Sequence, residues 1–171
     1  MRYGVIPVMM TEKGYTVGDE TLGLIWSRIV DEGKVETVFY NGTISSVGDF
    51  IQYLRRGDVY PVVIFDTETE TFCGVAWINN VNEGTAQAHF CTVNGGNSVE
   101  VGLEVMGYWN KFCEFINVIV GIIPEGNLRA INFVQKLGFV EVGMIPEYCN
   151  TVYKNAREGG VVLYYQLGGN K

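Results

Sequence analysis

The chain has 171 residues, of which 47% are hydrophobic and 18% are charged, and its formal net charge at neutral pH is −7. This length and composition predict one domain spanning residues 1–171 with a well-filled core, and they exclude an intrinsically disordered chain. Because an acidic protein lacks the basic face that phosphate backbones require, we also predict no nucleic-acid partner.

Nothing in the sequence predicts membrane insertion or secretion. The longest apolar run, residues 115–123, is far shorter than the ~20 residues needed to cross a bilayer, and it contains Asn117. The opening "MRYGVIPVMM" has a short apolar stretch and no small-residue cleavage site, so we read no signal peptide. We therefore expect a cytoplasmic protein without a membrane partner.

The four cysteines are widely spaced and lie within apolar patterns, at Cys73, Cys91, Cys113 and Cys149. There is no Cys-x-x-Cys pair, and the single histidine cannot complete a zinc-ligand set with them. We predict free, mostly buried thiols in a reducing compartment, and no metal site.

In the first half of the chain, hydrophobic periodicity predicts four strands and two helices. Continuous or alternating apolar runs predict strands at residues 2–9, 60–65, 71–79 and 85–93. Apolar stripes at helical spacing predict helices at residues 21–32 and 46–56. The last two strands are joined by the hairpin-like sequence "NNVNEG".

The second half predicts alternating helices and strands. Asn97 is a suitable N-cap for a helix of about four turns, and Glu100 is placed to close a capping box. Residues 117–123 form a β-branched run typical of a strand buried on both faces. The segment "GNLRAINFVQKLGF" predicts a helix, and two strands follow at residues 139–145 and 161–167, separated by a polar connection at 148–160.

This order predicts an α/β fold with a mixed central sheet of about seven strands and helices on both faces. Together with that order, "GNLRAINFVQKLGF" and the following "VEVG" resemble the last motif of the GCN5-related N-acetyltransferase (GNAT) family, N-x-x-A-x-x-F-x-x-K-L-G-F-x-x-x-G. The matching residues are Asn127, Ala130, Phe133, Lys136, Leu137, Gly138, Phe139 and Gly143. Residues 143–167 are similar to the closing hairpin of the ribosomal-protein and aminoglycoside acetyltransferase branch. The resemblance covers residues 71–167, and before that only the order of elements fits.

The resemblance implies two splayed parallel strands, at residues 85–93 and 117–123, with acetyl-CoA in the cleft between them. Its pantetheine amides would pair with unpaired strand backbone, like an added strand. Asn127 would reach the pantetheine arm, while Ala130 and Phe133 would border it. For these residues the alternative is an ordinary helix cap and an ordinary core. Arg129 and Lys136, with Lys111, are the nearest basic candidates for the phosphates, although each also fits a solvated helix face.

Before its third helix the family carries an Arg/Gln-x-x-Gly-x-Gly/Ala loop that binds the pyrophosphate through backbone N–H groups. The corresponding sequence here is "VNGGNSVEVG", in which Gly95, Gly96 and Gly102 supply flexibility but the arginine is absent. Glu100 lies in the first turn of the helix, where it would repel a diphosphate. The predicted coenzyme contacts of this strand end and loop are Cys91, Thr92, Val93, Gly95, Gly96, Asn97 and Ser98.

Catalytic residues are less apparent. Many family members carry a tyrosine one residue after the Phe133 position as the acid, whereas this chain has Val134. His89, the only histidine, lies on a strand flanking the cleft and shares a strand face with Gln87. With an unperturbed pKa of about 6.5 it is a candidate general base, a structural role being the alternative. Cys91 is the only conceivable nucleophile, and an inert buried thiol fits it better, so we expect direct attack by the acceptor.

The leading hypothesis is an N-acetyltransferase that moves an acetyl group from acetyl-CoA to a small-molecule or peptide primary amine. Its rival is a catalytically inactive GNAT-fold protein with a binding or structural role, of the kind that bacteriophages encode. A sensor of acyl groups is a third alternative that the sequence does not separate from the second. The oligomeric state stays open, with a homodimer among the states that the sequence allows.

Overall fold

The computed structural model describes residues 2–95 and 97–168. Its strands, numbered in chain order, are β1 (Tyr3–Pro7), β2 (Met10–Thr11), β3 (Gly14–Tyr15), β4 (Tyr60–Asp66), β5 (Thr71–Asn82), β6 (Thr85–Thr92), β7 (Val118–Pro124), β8 (Val140–Thr151) and β9 (Ala156–Gln166). Its α-helices are α1 (Asp19–Asp31), α2 (Val35–Val38), α3 (Val47–Leu54), α4 (Ser98–Phe112) and α5 (Leu128–Lys136), and a short 3₁₀ helix covers Val152–Lys154.

Seven strands of the described residues form one mixed sheet in the order β1-β4-β5-β6-β7-β9-β8. All neighbouring pairs are antiparallel except β6 and β7, which run parallel and are joined by the crossover helix α4. Strands β2 and β3 form a separate small hairpin. The prediction of an α/β fold with about seven strands is therefore confirmed.

Helices cover both faces of the sheet, as predicted, and each face has its own core. One core packs α4 and α5 against the sheet around Trp109, Ile119 and Leu163, all fully buried. The other packs α1 and α3 around Leu22 and Phe50, also fully buried. The sheet is thus the shared wall of two apolar layers. The four cysteines are free and buried, which confirms that prediction.

The caps that the sequence predicts are largely present. The side chain of Asn97 accepts hydrogen bonds from the N–H groups of Val99 (3.2 Å) and Glu100 (3.5 Å), so Asn97 is the N-cap of α4. The capping box is incomplete, because Glu100 accepts a hydrogen bond from the Asn97 side chain (2.9 Å) rather than from its backbone. Helix α3 carries the complete box, formed by Ser46 and Asp49.

The largest error of the sequence prediction is the polar connection at residues 148–160. The structure instead continues β8 to Thr151 and starts β9 at Ala156, so most of this segment is a long hairpin. Strand β8 is an edge strand, exposed along nearly its whole length, and it therefore lacks the apolar alternation that marks a half-buried strand. The short elements β2, β3 and α2 were not predicted either.

The prediction that Gly102 gives flexibility to a loop is wrong. Gly102 lies buried inside α4. A β-carbon at this position would lie 2.8 Å from both methyl carbons of Leu137 and 3.0 Å from Cζ of Phe133. The missing side chain therefore lets α5 approach α4 closely. Since Phe133 also lines the groove described below, this approach helps to set one wall of that groove.

Alanine substitutions at two glycines of α4 test this packing. Replacing a helical glycine by alanine gains about 0.5–1 kcal/mol of helix propensity, and Gly107 has nothing within 4 Å of the added carbon. We expect Gly107→Ala to stabilise the protein in urea unfolding and Gly102→Ala to be at least about 1 kcal/mol less stable than Gly107→Ala. An equal gain in both variants would contradict close packing at Gly102.

Candidate functional site

The two parallel strands of the sheet separate soon after they begin. Within the described residues, β6 and β7 pair only at Thr85–Val118, Ala86–Ile119 and Gln87–Val120. Strand β6 stays paired with β5 as far as Thr92, and β7 stays paired with β9 as far as Pro124. Each strand is thus held on its outer side while a gap opens between them, which leaves their facing backbone groups without a strand partner.

The gap opens into a cavity that we call the strand groove. Its outer part, about 460 Å³, is lined by residues 90–92 of β6, by Ser98, by Lys34 and by Asn127, Arg129, Ala130 and Phe133. Its inner part, about 130 Å³, continues between the strands past Ala88, His89 and Ile122 to Phe139. The walls are mostly apolar, with polar groups concentrated at the outer end. This shape suits an extended, mainly apolar ligand with one polar end.

A second cavity lies on the α1–α3 face of the sheet, and we call it the amide pocket. It measures about 390 Å³, and its lining includes the side-chain amides of Asn41, Asn79, Asn80, Gln87 and Asn150. Residues 38–44, which follow α2, and residues 148–150 of β8 form its rim. His89 lines both the amide pocket and the inner part of the strand groove, so the two cavities adjoin at this residue.

His89 is held by stacking and by one hydrogen bond. Its ring stacks on Trp77, with centroids 5.0 Å apart, and Trp77 stacks in turn on Phe39. Nε2 lies 3.2 Å from Oδ1 of Asn79, whose amide nitrogen donates to the hydroxyl of Tyr53 (2.7 Å). With Asn79 assigned in this orientation, Nε2 carries the proton and Nδ1 the lone pair. A bulge in β5 at Asn79 helps to direct this amide toward the imidazole.

Burial lowers the pKa of His89 to about 4, so the imidazole is neutral at physiological pH. This value differs from the unperturbed one assumed from the sequence. A neutral imidazole is free to accept a proton. With such a low pKa, however, it accepts one readily only from an acidic group, such as the protonated form of a weakly basic amine. The electrostatic setting therefore limits the chemistry that His89 can support.

Tyr40 is a polar residue of the site that the sequence analysis missed. It lines the inner strand groove and the amide pocket, as His89 does, and its hydroxyl accepts a hydrogen bond from Sγ of Cys149 (3.7 Å). Burial and this contact raise its pKa, so the phenol keeps its proton at neutral pH. The backbone carbonyl of Tyr40 accepts a hydrogen bond from the N–H of Val152 (2.9 Å), which fixes the loop after α2 to the β8–β9 hairpin.

Solved structures of acetyltransferases share this architecture over almost the whole chain. A spermidine N-acetyltransferase from Vibrio cholerae, in complex with CoA and spermine, aligns with a TM-score of 0.74 and 13% identity, over 97% of this chain and 96% of that chain. A ribosomal-protein-S5-alanine acetyltransferase from Vibrio fischeri aligns with a TM-score of 0.71 and 12% identity, over 100% of this chain and 96% of that chain. The chain has the GNAT fold. No protein-family model and no curated protein matches the sequence.

Several of the predicted coenzyme-binding residues come together in the strand groove of this GNAT fold. Those that line it are Cys91, Thr92, Ser98, Asn127, Arg129, Ala130 and Phe133. Asn127 also caps α5, because its Oδ1 accepts a hydrogen bond from the N–H of Ala130 (3.1 Å). The capping role and a position on the groove wall are thus combined in one residue.

Other predicted coenzyme contacts do not line the strand groove. Val93 is buried in the α1–α3 core, and Asn97 is occupied as the cap of α4. Gly95 has a left-handed φ of 67° and lies outside the groove lining, and Gly96 falls outside the described residues. Lys136 is exposed in the last turn of α5 and does not line the groove.

The loop that replaces the family's pyrophosphate-binding loop uses three of its N–H groups internally. The N–H of Val93 donates to the carbonyl of Cys73 (2.8 Å), and that of Asn97 donates to the hydroxyl of Tyr3 (3.3 Å). The N–H of Asn94 donates to Oε1 of Glu32 (2.6 Å), so a carboxylate of this chain already occupies an anion-binding position. These three backbone donors are therefore not free to bind a phosphate.

Glu32 and Lys34 form an ion pair at the outer end of the groove. Neither residue was predicted from the sequence as part of a site. Their side chains lie 2.6 Å apart, and Nζ of Lys34 donates to the carbonyl of Thr92 (2.6 Å). Burial opposes ionisation of Glu32, but hydrogen bonds from Lys34 and Asn94 outweigh it and lower its pKa. Lys34 thus places a cation, paired with Glu32, at the outer end of the groove. No local pattern revealed this position, because the groove residue that Lys34 contacts, Thr92, lies 58 residues away in the chain.

Cys91 has the properties of an inert thiol. It is buried, and burial raises its pKa to about 12, which disfavours the thiolate that a nucleophile requires.

Among the residues that the structure describes, no helix has the length and apolar character needed to cross a membrane.

The pKa of His89 gives a testable prediction. We expect its ring to titrate with a pKa of about 4 in an NMR titration. Because the unfolded chain has the higher histidine pKa, 6.5, it binds the extra proton between these values, so lowering the pH from 6.5 toward 4 reduces stability. The variant His89→Gln should lose this part of the acid destabilisation. A ring that titrates near 6.5 would contradict the buried, uncharged environment.

Proposed function

We propose that the protein is an N-acetyltransferase that moves an acetyl group from acetyl-CoA to a primary amine. The observation that carries this proposal is the divergence of β6 and β7 beyond Gln87, with a groove on one side of His89 and a polar pocket on the other. Such a layout gives a coenzyme and an acceptor separate approaches to one point. The GNAT fold of the chain and the CoA-bound neighbour support the same class of reaction.

The strand groove fits the pantetheine arm of acetyl-CoA better than it fits the diphosphate. Unpaired strand edges offer hydrogen bonds to the pantetheine amides, and the small side chain of Ala130 leaves room for close approach. Asn127 lies on the same wall. At the outer end, Lys34 and Arg129 are the cations available, while Glu32 competes for the loop amide. We therefore assign the diphosphate to Lys34, Arg129 and Ser98.

When bound, acetyl-CoA supplies a thioester whose carbonyl carbon is the electrophile. His89 accepts the proton that the acceptor nitrogen loses as its lone pair forms the new C–N bond. The C–S bond breaks with its electron pair going to the sulfur, and Tyr40, which keeps its proton at neutral pH, donates a hydrogen bond to that sulfur. The imidazolium of His89 then gives its proton to the thiolate, so that free CoA leaves and both side chains return to their starting forms. Tyr40 thereby stands in for the family's tyrosine at the Val134 position.

The neighbours support a primary amine as the acceptor, since their names give spermidine and a ribosomal-protein alanine. The two acceptors differ in size and charge, so this support extends to the amine group and no further. We also assign the protein to the cytoplasm, where its four free thiols would stay reduced.

A second candidate function is a GNAT-fold protein that binds a ligand without catalysis. One observation favours it: the carboxylate of Glu32 occupies the amide of Asn94, where a phosphate would be expected to bind. In that case the strand groove would hold an acyl-bearing or other apolar ligand, and the chain would act through binding alone. The two functions differ in whether acetyl-CoA binds and is consumed.

Calorimetric titration with acetyl-CoA tests whether the protein binds the coenzyme that the acetyltransferase proposal requires. We expect binding, which Glu32→Gln tightens and Lys34→Met weakens by about three- to tenfold each, because each change alters one charge near the diphosphate. Acetyl-pantetheine, which lacks the diphosphate, serves as the control, and its affinity should change in neither variant. Absence of acetyl-CoA binding at high micromolar protein would reject the acetyltransferase proposal.

Substitutions at the meeting point of the two cavities test the chemistry. We expect His89→Gln and Tyr40→Phe each to lower kcat by about tenfold or more while leaving acetyl-CoA affinity unchanged, because one removes the proton acceptor and the other removes the hydrogen-bond donor to the leaving sulfur. Tyr60→Phe, an exposed position on β4 outside both cavities, is the matched control. Release of the coenzyme thiol gives the rate. An unchanged kcat in either variant would remove that residue from the mechanism.

A further inference from the structure

The amide pocket has no ionised side chain in its lining. All of its lining residues are described by the structure, and none of them is Asp, Glu, Lys or Arg. Its imidazole, that of His89, is neutral at physiological pH because burial lowers its pKa. An acceptor that carries several ammonium groups would leave them in this pocket without counter-charges, which is costly. The pocket therefore selects against polycations.

The amides of the pocket retain unused hydrogen-bonding groups. The nitrogen of Asn80 donates to Oε1 of Gln87 (3.0 Å), which orients both amides and leaves the Gln87 nitrogen and the Asn80 oxygen for a ligand. Oδ1 of Asn41 accepts from the backbone N–H (3.2 Å) and the hydroxyl (2.8 Å) of Thr43, which leaves its nitrogen as a donor. Donors and acceptors thus alternate around the pocket. Hydroxyl groups, which donate and accept, are the natural complement of such a surface.

Aromatic groups complete the pocket. Tyr148 stands at the rim with 49% of its surface exposed, so a ligand in the pocket can contact its ring. Trp77 contributes to the lining and is held between the rings of His89, stacked at 5.0 Å, and Tyr53, edge-on at 5.9 Å. The pocket therefore combines neutral hydrogen-bonding groups with an accessible aromatic ring.

We propose that the amide pocket binds an amino sugar, whose hydroxyls contact the side-chain amides and whose amine points to His89. This inference rests on the proposed acetyltransferase function and names its acceptor class. The product is the N-acetyl sugar and free CoA, formed by the bond changes given above. Ring oxygen and hydroxyl groups withdraw electrons from a sugar amine and make it less basic than an alkyl amine. The amine therefore enters neutral more readily, which suits a weak base such as His89.

The neighbouring cavity that contains carboxylates does not alter this assignment. It measures about 210 Å³ and is lined by Glu36 and Glu158, among other residues. Both carboxylate oxygens of Glu158 accept hydrogen bonds from Nζ of Lys154 (2.9 and 3.1 Å), so that carboxylate is already neutralised. His89 does not line this cavity, whereas Tyr40 lines both it and the amide pocket. An ammonium group bound there would face Glu36 and would lie outside the amide pocket.

A panel of acceptors tests the proposal with acetyl-CoA as donor. We would measure kcat/KM for 2-amino-, 3-amino- and 4-amino-deoxyhexoses, for spermidine and for an alanyl dipeptide under identical conditions. The best amino sugar should exceed spermidine and the dipeptide by about tenfold or more, because a site built to bind hydroxyls discriminates against ligands that lack them. A higher kcat/KM with spermidine or with the dipeptide would overturn the proposal.

A charge placed in the pocket sharpens this test. Gln87→Glu keeps the shape of the side chain and adds a carboxylate, so the ratio of spermidine to amino-sugar kcat/KM should rise about fivefold or more. Gln52→Glu adds the same charge on the exposed face of α3, outside the pocket, and should leave that ratio unchanged. Equal ratios in the two variants would show that the acceptor does not occupy the amide pocket.

Binding of the product separates failure of this inference from failure of the proposed function. The N-acetylated amino sugar is titrated into the protein without coenzyme and followed by NMR. Saturable binding that Gln87→Leu abolishes, with the fold of that variant verified in the same spectra, supports the sugar site even if acetyl-CoA does not bind. Acetyl-CoA binding without any sugar binding up to tens of millimolar rejects the sugar site and leaves the proposed function standing.

Discussion

Only three residue pairs join β6 to β7 within the described residues, and this short pairing determines where the strand groove lies. After Gln87 and Val120 the strands separate, although each continues to pair with its other neighbour. The gap is therefore bounded by two well-ordered halves of a sheet and is not a loosely packed region. Phe90, on the α4–α5 face, packs against Trp109 and Phe133, with ring centroids 5.3 and 5.5 Å apart. These aromatic contacts support the open edge of β6 where strand pairing no longer does.

The positions of the two cavities follow from this separation. Alternate residues of β6 point to opposite faces, so Ala88 and Phe90 belong to the α4–α5 side, while Gln87 and Cys91 belong to the α1–α3 side. His89 lies at the point where the strand loses its partner, and it therefore contributes to the cavities on both sides. The stack of Phe39, Trp77 and His89 ties this position to the buried core, so the ring has little freedom to turn.

The parts of the fold that could be predicted are those that bury one face. Apolar stripes and β-branched runs identified the principal helices and all strands of the large sheet, because burial leaves a period in the sequence. The second half of β8 was not predicted as a strand, because an exposed edge strand has no such period. The three GNAT-motif residues Asn127, Ala130 and Phe133 lie on one wall of the strand groove, since they belong to one helix and its cap and their spacing is local.

The rest of the site could not be read from the sequence because its contacts are distant along the chain. Lys34 contacts Thr92, 58 residues away, and Tyr40 contacts Cys149, 109 residues away. Nor does the sequence reveal that the N–H groups of Val93, Asn94 and Asn97 are used within the protein. The residue types of a loop show what it can bind, whereas its internal hydrogen bonds decide what it has left to offer.

The hydrogen bond from the Asn94 amide to Glu32 has a kinetic consequence for the proposed reaction. A tethered carboxylate is present at a constant effective concentration, so it competes with any incoming phosphate at every coenzyme concentration. This competition weakens the binding of substrate coenzyme and product coenzyme by the same factor. Since Glu32 can return to the amide as the phosphate leaves, this competition also speeds the dissociation of the product coenzyme. Coenzyme affinity would then be lower and turnover faster wherever coenzyme release limits the rate.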